Sequence, residues 1–524
     1  MGKIACYRFG IIALVVTELI MSGGIVQADI TLPSMIGNHM VLQRDAKVPI
    51  WGWAKPGERI SVVIDRQRHA TTAGGDGSWR VDLTPLQVGE PRKMRITGNN
   101  EIELTDILVG EVWVCSGQSN MGMTVKSSWN SDLEIAAADY PQIRLVTVGN
   151  QGSQNPQKDF DGNWEICSSE TVGEFSAVGY FFGRNLHQQL RVPIGLIDNA
   201  WGGSACEAWI RRDLLKANPL YEPLLLRWAA TEATFDLDTE MDKYEKKVAN
   251  WQEAVAKAKA AGEPIPNRPR PPRNPLTGQH RPANLFNGRI APIVPYGIRG
   301  AVWYQGETNA GRAFQYRDMF PLMIKNWRDA WGQGDFPFYW VQLADFKPEV
   351  AEPGESEWAE LREAQTISMK KVQNSGQAVI IDLGEGNDIH PKNKQEVASR
   401  LARWALARDY KLKIDYHSPQ QETMQVDAGK CMVSFGHVGG GLRTIDSNEV
   451  KGFALAGADR KWYWASAKIA GKDKVEVWSD QVPEPIAVRY GWADNPVCNL
   501  YSTAGLPVTP FRSDVWPGLT FDAK

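Results

Sequence analysis

Between residue 29 and about residue 104 the apolar positions come in short alternating runs. Val48-Pro-Ile-Trp-Gly-Trp53 and Arg59-Ile-Ser-Val-Val-Ile64 are separated by the turn residues Lys55-Pro-Gly57 and Gly74-Gly-Asp-Gly77. Alternation with period two, bounded by Gly and Pro, marks strands with one buried face, so residues 29–104 predict a β-sandwich-like module. From residue 105 the texture changes. Near-continuous apolar runs stand at 107–115, 142–148, 192–199, 298–304, 338–346 and 377–383, most of them followed by a helical or loop stretch. Strands apolar on both faces and alternating with helices predict a parallel sheet covered on both sides. Residues 213–282 interrupt the pattern. Tyr244, Val248, Trp251 and Val255 recur at helical spacing, and residues 263–282 are rich in Pro and Arg. Proline lacks the N–H a helix interior needs. The interruption therefore predicts a helical hairpin and an extended loop inserted into an α/β core of residues 105–411. Val397, Leu401, Trp404 and Ala405 share one face of a helix over 393–408, and residues 412–524 return to short strands as a second β-rich module.

Length agrees with this division, because 524 residues exceed what one hydrophobic core organises. Hydrophobic residues at 43% and charged residues at 23% are those of an ordinary globular protein. A formal net charge of -3 without a basic stripe gives nucleic acid and anionic membrane no electrostatic foothold. Residues 1–28 predict a signal peptide: Lys3 and Arg8 precede a mostly apolar stretch from Phe9 to Val26, and Val26-Gln27-Ala28 ends it as a cleavage site does. Glu18 inside that stretch leaves an uncleaved anchor open. No later stretch has the apolar length of a membrane span. The chain is therefore expected to be exported, to the periplasm or outside the cell. Five of the six cysteines follow residue 28 without CxxC spacing, which predicts no zinc site and leaves disulfide pairing unread. The seven His are scattered, so no catalytic metal is expected. The Gly-Lys pairs at 2–3, 429–430 and 471–472 lack a P-loop ending, and no cofactor is expected. Some of the 21 Trp are core, and others could line a sugar-binding cleft.

Chemistry gathers at four predicted strand ends, where open α/β sheets bind ligands. They read Gly117-Gln-Ser119-Asn120, Asn199-Ala-Trp-Gly202-Gly203-Ser204, Trp303-Tyr-Gln305-Gly306-Glu307-Thr-Asn309 and Asn387-Asp388-Ile-His390-Pro391. Acyl transfer needs a nucleophile, a base, a group that orients the base, and donors for the oxyanion. Ser119 is the candidate nucleophile, against the plainer reading of a helix cap. Met121 stands where an α/β-hydrolase elbow would have its last glycine, which argues against that fold. His390 is the candidate base, with Asp388 as its orienter and Asn387 and Asp382 as alternatives. Gly202 and Gly203 can bring backbone N–H groups to a ligand, a plain tight turn being the other reading. Gln305 offers an amide donor beside the Ser119 N–H. Asn120 and Glu307 are supporting residues. Two other function classes remain open, a glycosidase using two of Glu307, Asp345 and Glu385, and a carbohydrate-binding protein without catalysis.

The blocks GQSNM (117–121), NAWGGSACEAW (199–209), ANLFNGRIAPI (283–293), WYQGETN (303–309) and DIHP (388–391) resemble the SGNH-hydrolase superfamily, in its sialate O-acetylesterase-like branch. The likeness covers most of residues 105–410. It implies a flavodoxin-like three-layer α/β core and removal of acetyl groups from sugar hydroxyls through an acetyl-enzyme. An acetylated carbohydrate, sialic acid or a plant polysaccharide such as xylan or xyloglucan, is then the expected partner. Carried over residue by residue, the signature groups fall on Ser119, Gly203 or Gly202, Gln305 and His390. Two positions depart from the superfamily pattern. Gln305 replaces the usual Asn, and Asn387 stands where an acid usually lies three residues before the His. A Ser–His–Asp388 triad and a Ser–His pair are both compatible with that pattern.

Overall fold

The computed structural model describes residues 1–2 and 29–524, so the expected signal segment lies, beyond its first two residues, outside the described part. Strands β1 (Val41–Gln43), β2 (Val48–Trp53), β3 (Arg59–Ile64), β4 (Gln67–Thr72), β5 (Ser78–Leu83) and β6 (Arg92–Thr97) follow the alternating runs. In β5, Trp79, Val81 and Leu83 are buried while Ser78, Arg80 and Asp82 face solvent, as a pleat with one covered face demands.

Strand β7 (Glu101–Gly117) belongs to two units at once. Its first part pairs antiparallel with β6, and its second part lies in the parallel core sheet. The boundary expected at 104/105 therefore falls inside one continuous strand of 17 residues. The environment changes at Asp106, whose φ is +54. Its carboxylate accepts from Arg144 Nη1 at 2.7 Å and lies 2.6 Å from His39 Nδ1. From Ile107 onward every residue of the strand is buried.

The core strands run in the order β13 (Ser375–Ala378), β12 (Phe338–Val341), β11 (Gly300–Tyr304), β7, β10 (Ile194–Ala200), β8 (Tyr140–Thr147) and β9 (Glu165–Cys167). All neighbours are parallel except β9. Alternate residues serve the two faces. Trp113, Cys115, Val302 and Tyr304 pack with the helices Ala177–Leu190 and Lys394–Arg408. Val112, Val114, Ala301 and Trp303 pack with Ala313–Trp331 and Glu357–Lys371. Burial on both faces explains why these strands read as unbroken apolar runs.

Two predicted strands overshoot. The runs at 338–346 and 377–383 leave the sheet after Val341 and Ala378, yet their continuations stay largely buried. Guanidinium groups take over the carbonyls that a ladder would have used. Arg362 donates to Leu343 O and Ala344 O at 2.9 and 2.8 Å, and Arg400 donates to Val379 O at 2.8 Å.

The interruption contains the helices Glu222–Thr234 and Leu237–Ala261, joined at Asp236, whose carboxylate caps Thr239 N at 3.1 Å. Ala258 is the one buried residue of the longer helix. Between Gly262 and Pro282 the chain has no helix or strand. Ten short strands from Gln420 to Arg512 form the C-terminal region around Val433, Phe435, Leu455, Val475 and Val488. Trp113, Trp209, Trp303, Trp327 and Trp340 are fully buried, whereas Trp129 and Trp464 are exposed. The five described cysteines are unbridged. Among the described residues no helix is long and apolar enough to cross a membrane.

Candidate active site

Register sets the site. Gly117, at the end of β7, pairs with Ala200 of β10 and Tyr304 of β11, so three strand ends stop level. The residues that follow are Ser119, Gly202-Gly203 and Gln305. Gly117 has φ +137, and a Cβ there would stand 2.2 Å from Tyr304 O. Only glycine admits both the conformation and the approach. The chain then turns into a single helical turn, Ser119–Gly122, with Ser119 at its first position.

Ser119 Oγ lies 2.8 Å from His390 Nε2, although the two residues are 271 positions apart. His390 stands on the loop after β13, twelve residues past the strand's end. Its ring is half-buried, open enough for an ester to reach the pair. Asp388 does not hold it by a hydrogen bond. Asp388 Oδ1 is 3.5 Å from His390 Nδ1, beyond good hydrogen-bond length, and instead accepts from the His390 backbone N–H at 2.9 Å. Asp388 therefore shapes the loop and supplies charge beside the ring. Neither alternative orienter reaches the ring in its place: Asp382 is tied to Arg400 at 2.6 and 2.8 Å, and Asn387 makes no recorded side-chain contact with His390.

Three backbone donors at these strand ends are uncommitted. The N–H groups of Ser119, Gly202 and Gly203 donate to no described protein acceptor. A Cβ on Gly202 would lie 3.5 Å from Ser119 Cβ, and Gly203 has φ +69. The end of the Pro-rich insertion clasps this turn. Gln279 Nε2 donates to Gly202 O at 3.3 Å, and His280 Nε2 lies 2.7 Å from Gly203 O, which also accepts from Thr308 Oγ1 at 3.1 Å. Gly202 O and Gly203 N–H belong to one peptide unit, so donation to that oxygen polarises that N–H.

Gln305 is corrected by the structure. It is fully buried, and its amide donates to Ser204 O at 3.1 Å and Asn309 Oδ1 at 2.7 Å. Its oxygen accepts from the Tyr316 hydroxyl at 2.9 Å. Both amide protons are committed, so Gln305 braces the loops behind the site and offers nothing to an oxyanion. The residue two before it, Trp303, faces the same buried side, which is where an odd-numbered position of β11 points.

Asn120 and Glu307 do converge. Asn120 Nδ2 donates to Glu307 Oε1 at 2.7 Å and to Ile389 O at 3.0 Å. One side chain thus joins the neighbour of Ser119 to the neighbour of His390. Its oxygen accepts from Lys394 Nζ at 2.6 Å. Lys394 is fully buried, 5.2 Å from the centre of the Tyr304 ring. Burial lowers its pKa to about 7, against the opposing pull of Glu307, Glu385 and Asp388. Burial raises the Glu307 carboxyl, and its Oε2 is enclosed without a partner. Burial raises the Asp345 carboxyl as well, and its Oδ1 accepts from Gly384 N at 2.6 Å. Lys394 was absent from the sequence reading, yet its spacing of three and seven from Val397 and Leu401 places it on that helix's buried face. Among the described residues no cluster of three or more His, Cys, Asp or Glu could hold a metal.

Comparison with known proteins identifies the family. The family described as carbohydrate esterase, sialic acid-specific acetylesterase, matches residues 109–263 and 286–406. The sialate O-acetylesterase of Mus musculus is 28% identical over 97% of this chain and 98% of its own. The Homo sapiens sialate O-acetylesterase is 28% identical over 91% of each chain. A crystal structure of a carbohydrate acetylesterase from Xanthomonas citri superposes with TM-score 0.78 and 36% identity, covering 93% of this chain and all of that one. With the family matched across both halves of the core and a 36% identical relative aligned over nearly its whole length, the chain belongs to the carbohydrate esterases of the sialic acid-specific acetylesterase family.

Proposed function

We propose that this carbohydrate O-acetylesterase works by a serine mechanism in which Ser119 is the nucleophile and His390 the base. The observation that carries the reading is the 2.8 Å approach of His390 Nε2 to Ser119 Oγ. His390 takes the hydroxyl proton as Oγ attacks the acetyl carbonyl. The N–H groups of Ser119 and Gly203, with Gly202 alongside, hold the oxyanion. Preorganised donors of this kind typically contribute about 2.7–4 kcal/mol each to lowering the barrier. The intermediate collapses as His390 returns the proton to the departing sugar oxygen, which leaves Ser119 acetylated. Water, deprotonated by His390, then releases acetate and restores the serine. Asp388 stands 3.5 Å from the ring without a hydrogen bond to it, so the pair works as a dyad with a nearby carboxylate.

The substrate is an O-acetylated sugar. O-acetylated sialic acid is the class named for the mammalian relatives, and an acetylated polysaccharide such as xylan or xyloglucan is the second candidate. Residues 1–28 support export, so the enzyme would meet extracellular or periplasmic glycan. The test is acetate release from O-acetylated sialic acid, acetyl-xylan and acetyl-xyloglucan by wild type and Ser119→Ala. Release that disappears in the variant is expected, and the substrate turned over names the glycan. Equal release by both would remove Ser119 from the chemistry.

A further inference from the structure

Beyond the His390 loop the core meets the C-terminal region, and a depression of about 250 Å³ lies at that joint. Val350 lines it from the loop after β12. Trp464, Asn495 and Val497 line it from the C-terminal side, with Glu449 and Lys451 also in its wall. It is coupled to the catalytic loop by direct contact. Asn495 Nδ2 donates to Lys347 O at 2.7 Å, and a Cβ on Gly386 would stand 3.0 Å from that same nitrogen. Gly386 is four residues before His390, so the two are at most about 14 Å apart along the chain.

The lining has the chemistry that sugars use. Trp464 is one of two strongly exposed tryptophans, with 39% of its surface open. Its Nε1 is pinned to Ala351 O at 2.8 Å, which fixes the ring's orientation. A fixed indole face with amide, carboxylate and ammonium groups around it suits a pyranose, which has an apolar face and a hydroxyl rim. Val350 and Val497, each 49% exposed, add apolar surface that folding alone leaves uncovered.

We propose that this depression is a subsite for a further sugar ring of the acetylated glycan, with Trp464 as its stacking platform and Asn495 as its hydroxyl partner. The proposal rests on the carbohydrate reading above and deepens it, because it assigns the ester-bearing sugar to Ser119 and a further ring of the same glycan to Trp464. The preferred substrate is then an O-acetylated oligosaccharide or polymer, and not a free acetylated monosaccharide.

The experiment uses the full chain and two variants, Trp464→Ala and Val497→Arg, the second of which fills the depression from an exposed position. Hydrolysis of p-nitrophenyl acetate, acetylated xylo-oligosaccharides of one to six units and O-acetylated sialyl oligosaccharides is followed, with melting temperature as a control. In wild type kcat/KM is expected to rise with chain length in one of the two glycan series. Both variants should lose that rise, by about tenfold on the longest substrate, with p-nitrophenyl acetate unaffected. Absence of a length effect in both series overturns the subsite, as does a length effect that survives in a folded variant. Failure of the esterase reading would look different, as no Ser119-dependent release from any substrate, p-nitrophenyl acetate included.

Discussion

Gln305 and Lys394 exchange the importance that their residue types suggest. An amide at a strand end reads as an oxyanion donor, but the Gln305 amide is used up by Ser204 O and Asn309 Oδ1. Gln305→Ala is accordingly expected to act on stability first. It strands three buried partners, at about 1–3 kcal/mol for an unsatisfied group, and should lower the melting temperature more than it lowers kcat at 25 °C. A variant with full stability and a hundredfold lower kcat would return Gln305 to the oxyanion. Lys394 is the opposite case, a charged residue that solvent never reaches. Its pKa is about 7 when folded and about 10.4 when unfolded. The unfolded chain therefore binds more protons between those values, and stability rises with pH across that window. Lys394→Met removes this term. The stability of wild type relative to the variant should climb between pH 7 and pH 9.5, with a slope of up to about 1.4 kcal/mol per pH unit. Denaturant midpoints measured at both ends of the window test it, and parallel curves would show that Lys394 keeps its proton.

At the level of elements, the site depends on where strands stop. β7, β10 and β11 end in register at Gly117, Ala200 and Tyr304, and Gly117 allows the closure. Gly117→Ala places a Cβ 2.2 Å from Tyr304 O at a φ that side chains rarely adopt. Backbone strain of this kind costs roughly 1–3 kcal/mol, and relief must move Ser119. The expected result is a lower melting temperature together with loss of acetate release, read on the same preparation. Normal activity in the variant would mean that the strand end is not what positions the serine. The α/β strands were legible because burial on both faces leaves unbroken apolar runs. Their ends were less so. Residues 342–346 and 379–383 are as apolar as strands, but Arg362 and Arg400 capture their carbonyls from elsewhere in the chain. A window of local sequence contains no sign of that competition.

Across the whole molecule, the C-terminal region is held to the core by Arg362. Fully buried, it donates to Ala493 O at 2.7 Å and Asp494 O at 2.8 Å as well as to its own loop. Arg362→Met leaves those carbonyls without donors, at a cost of about 1–3 kcal/mol for each buried group left unsatisfied. It should also loosen residues 493–497, which touch the loop of His390. Calorimetry should then resolve an early transition, and chymotrypsin should cut after Trp492 before the core unfolds. A single transition at the wild-type temperature would argue that the joint is held otherwise. The alternating and unbroken apolar runs were readable as strands from periodicity, whereas the boundary expected at 104/105 falls inside the single strand β7. That Ser119 and His390 come together was also legible, because acyl transfer restricts which residue types can serve it and because both motifs follow strand ends. Sequence by itself determined the type of fold, the family and the chemical cast. Tertiary structure alone decided that Gln305 faces inward, that Asp388 bonds backbone instead of ring, and that Lys394 is buried against Asn120. Each of these turns on which way one side chain points and which partner is nearest, and those partners lie far away in sequence.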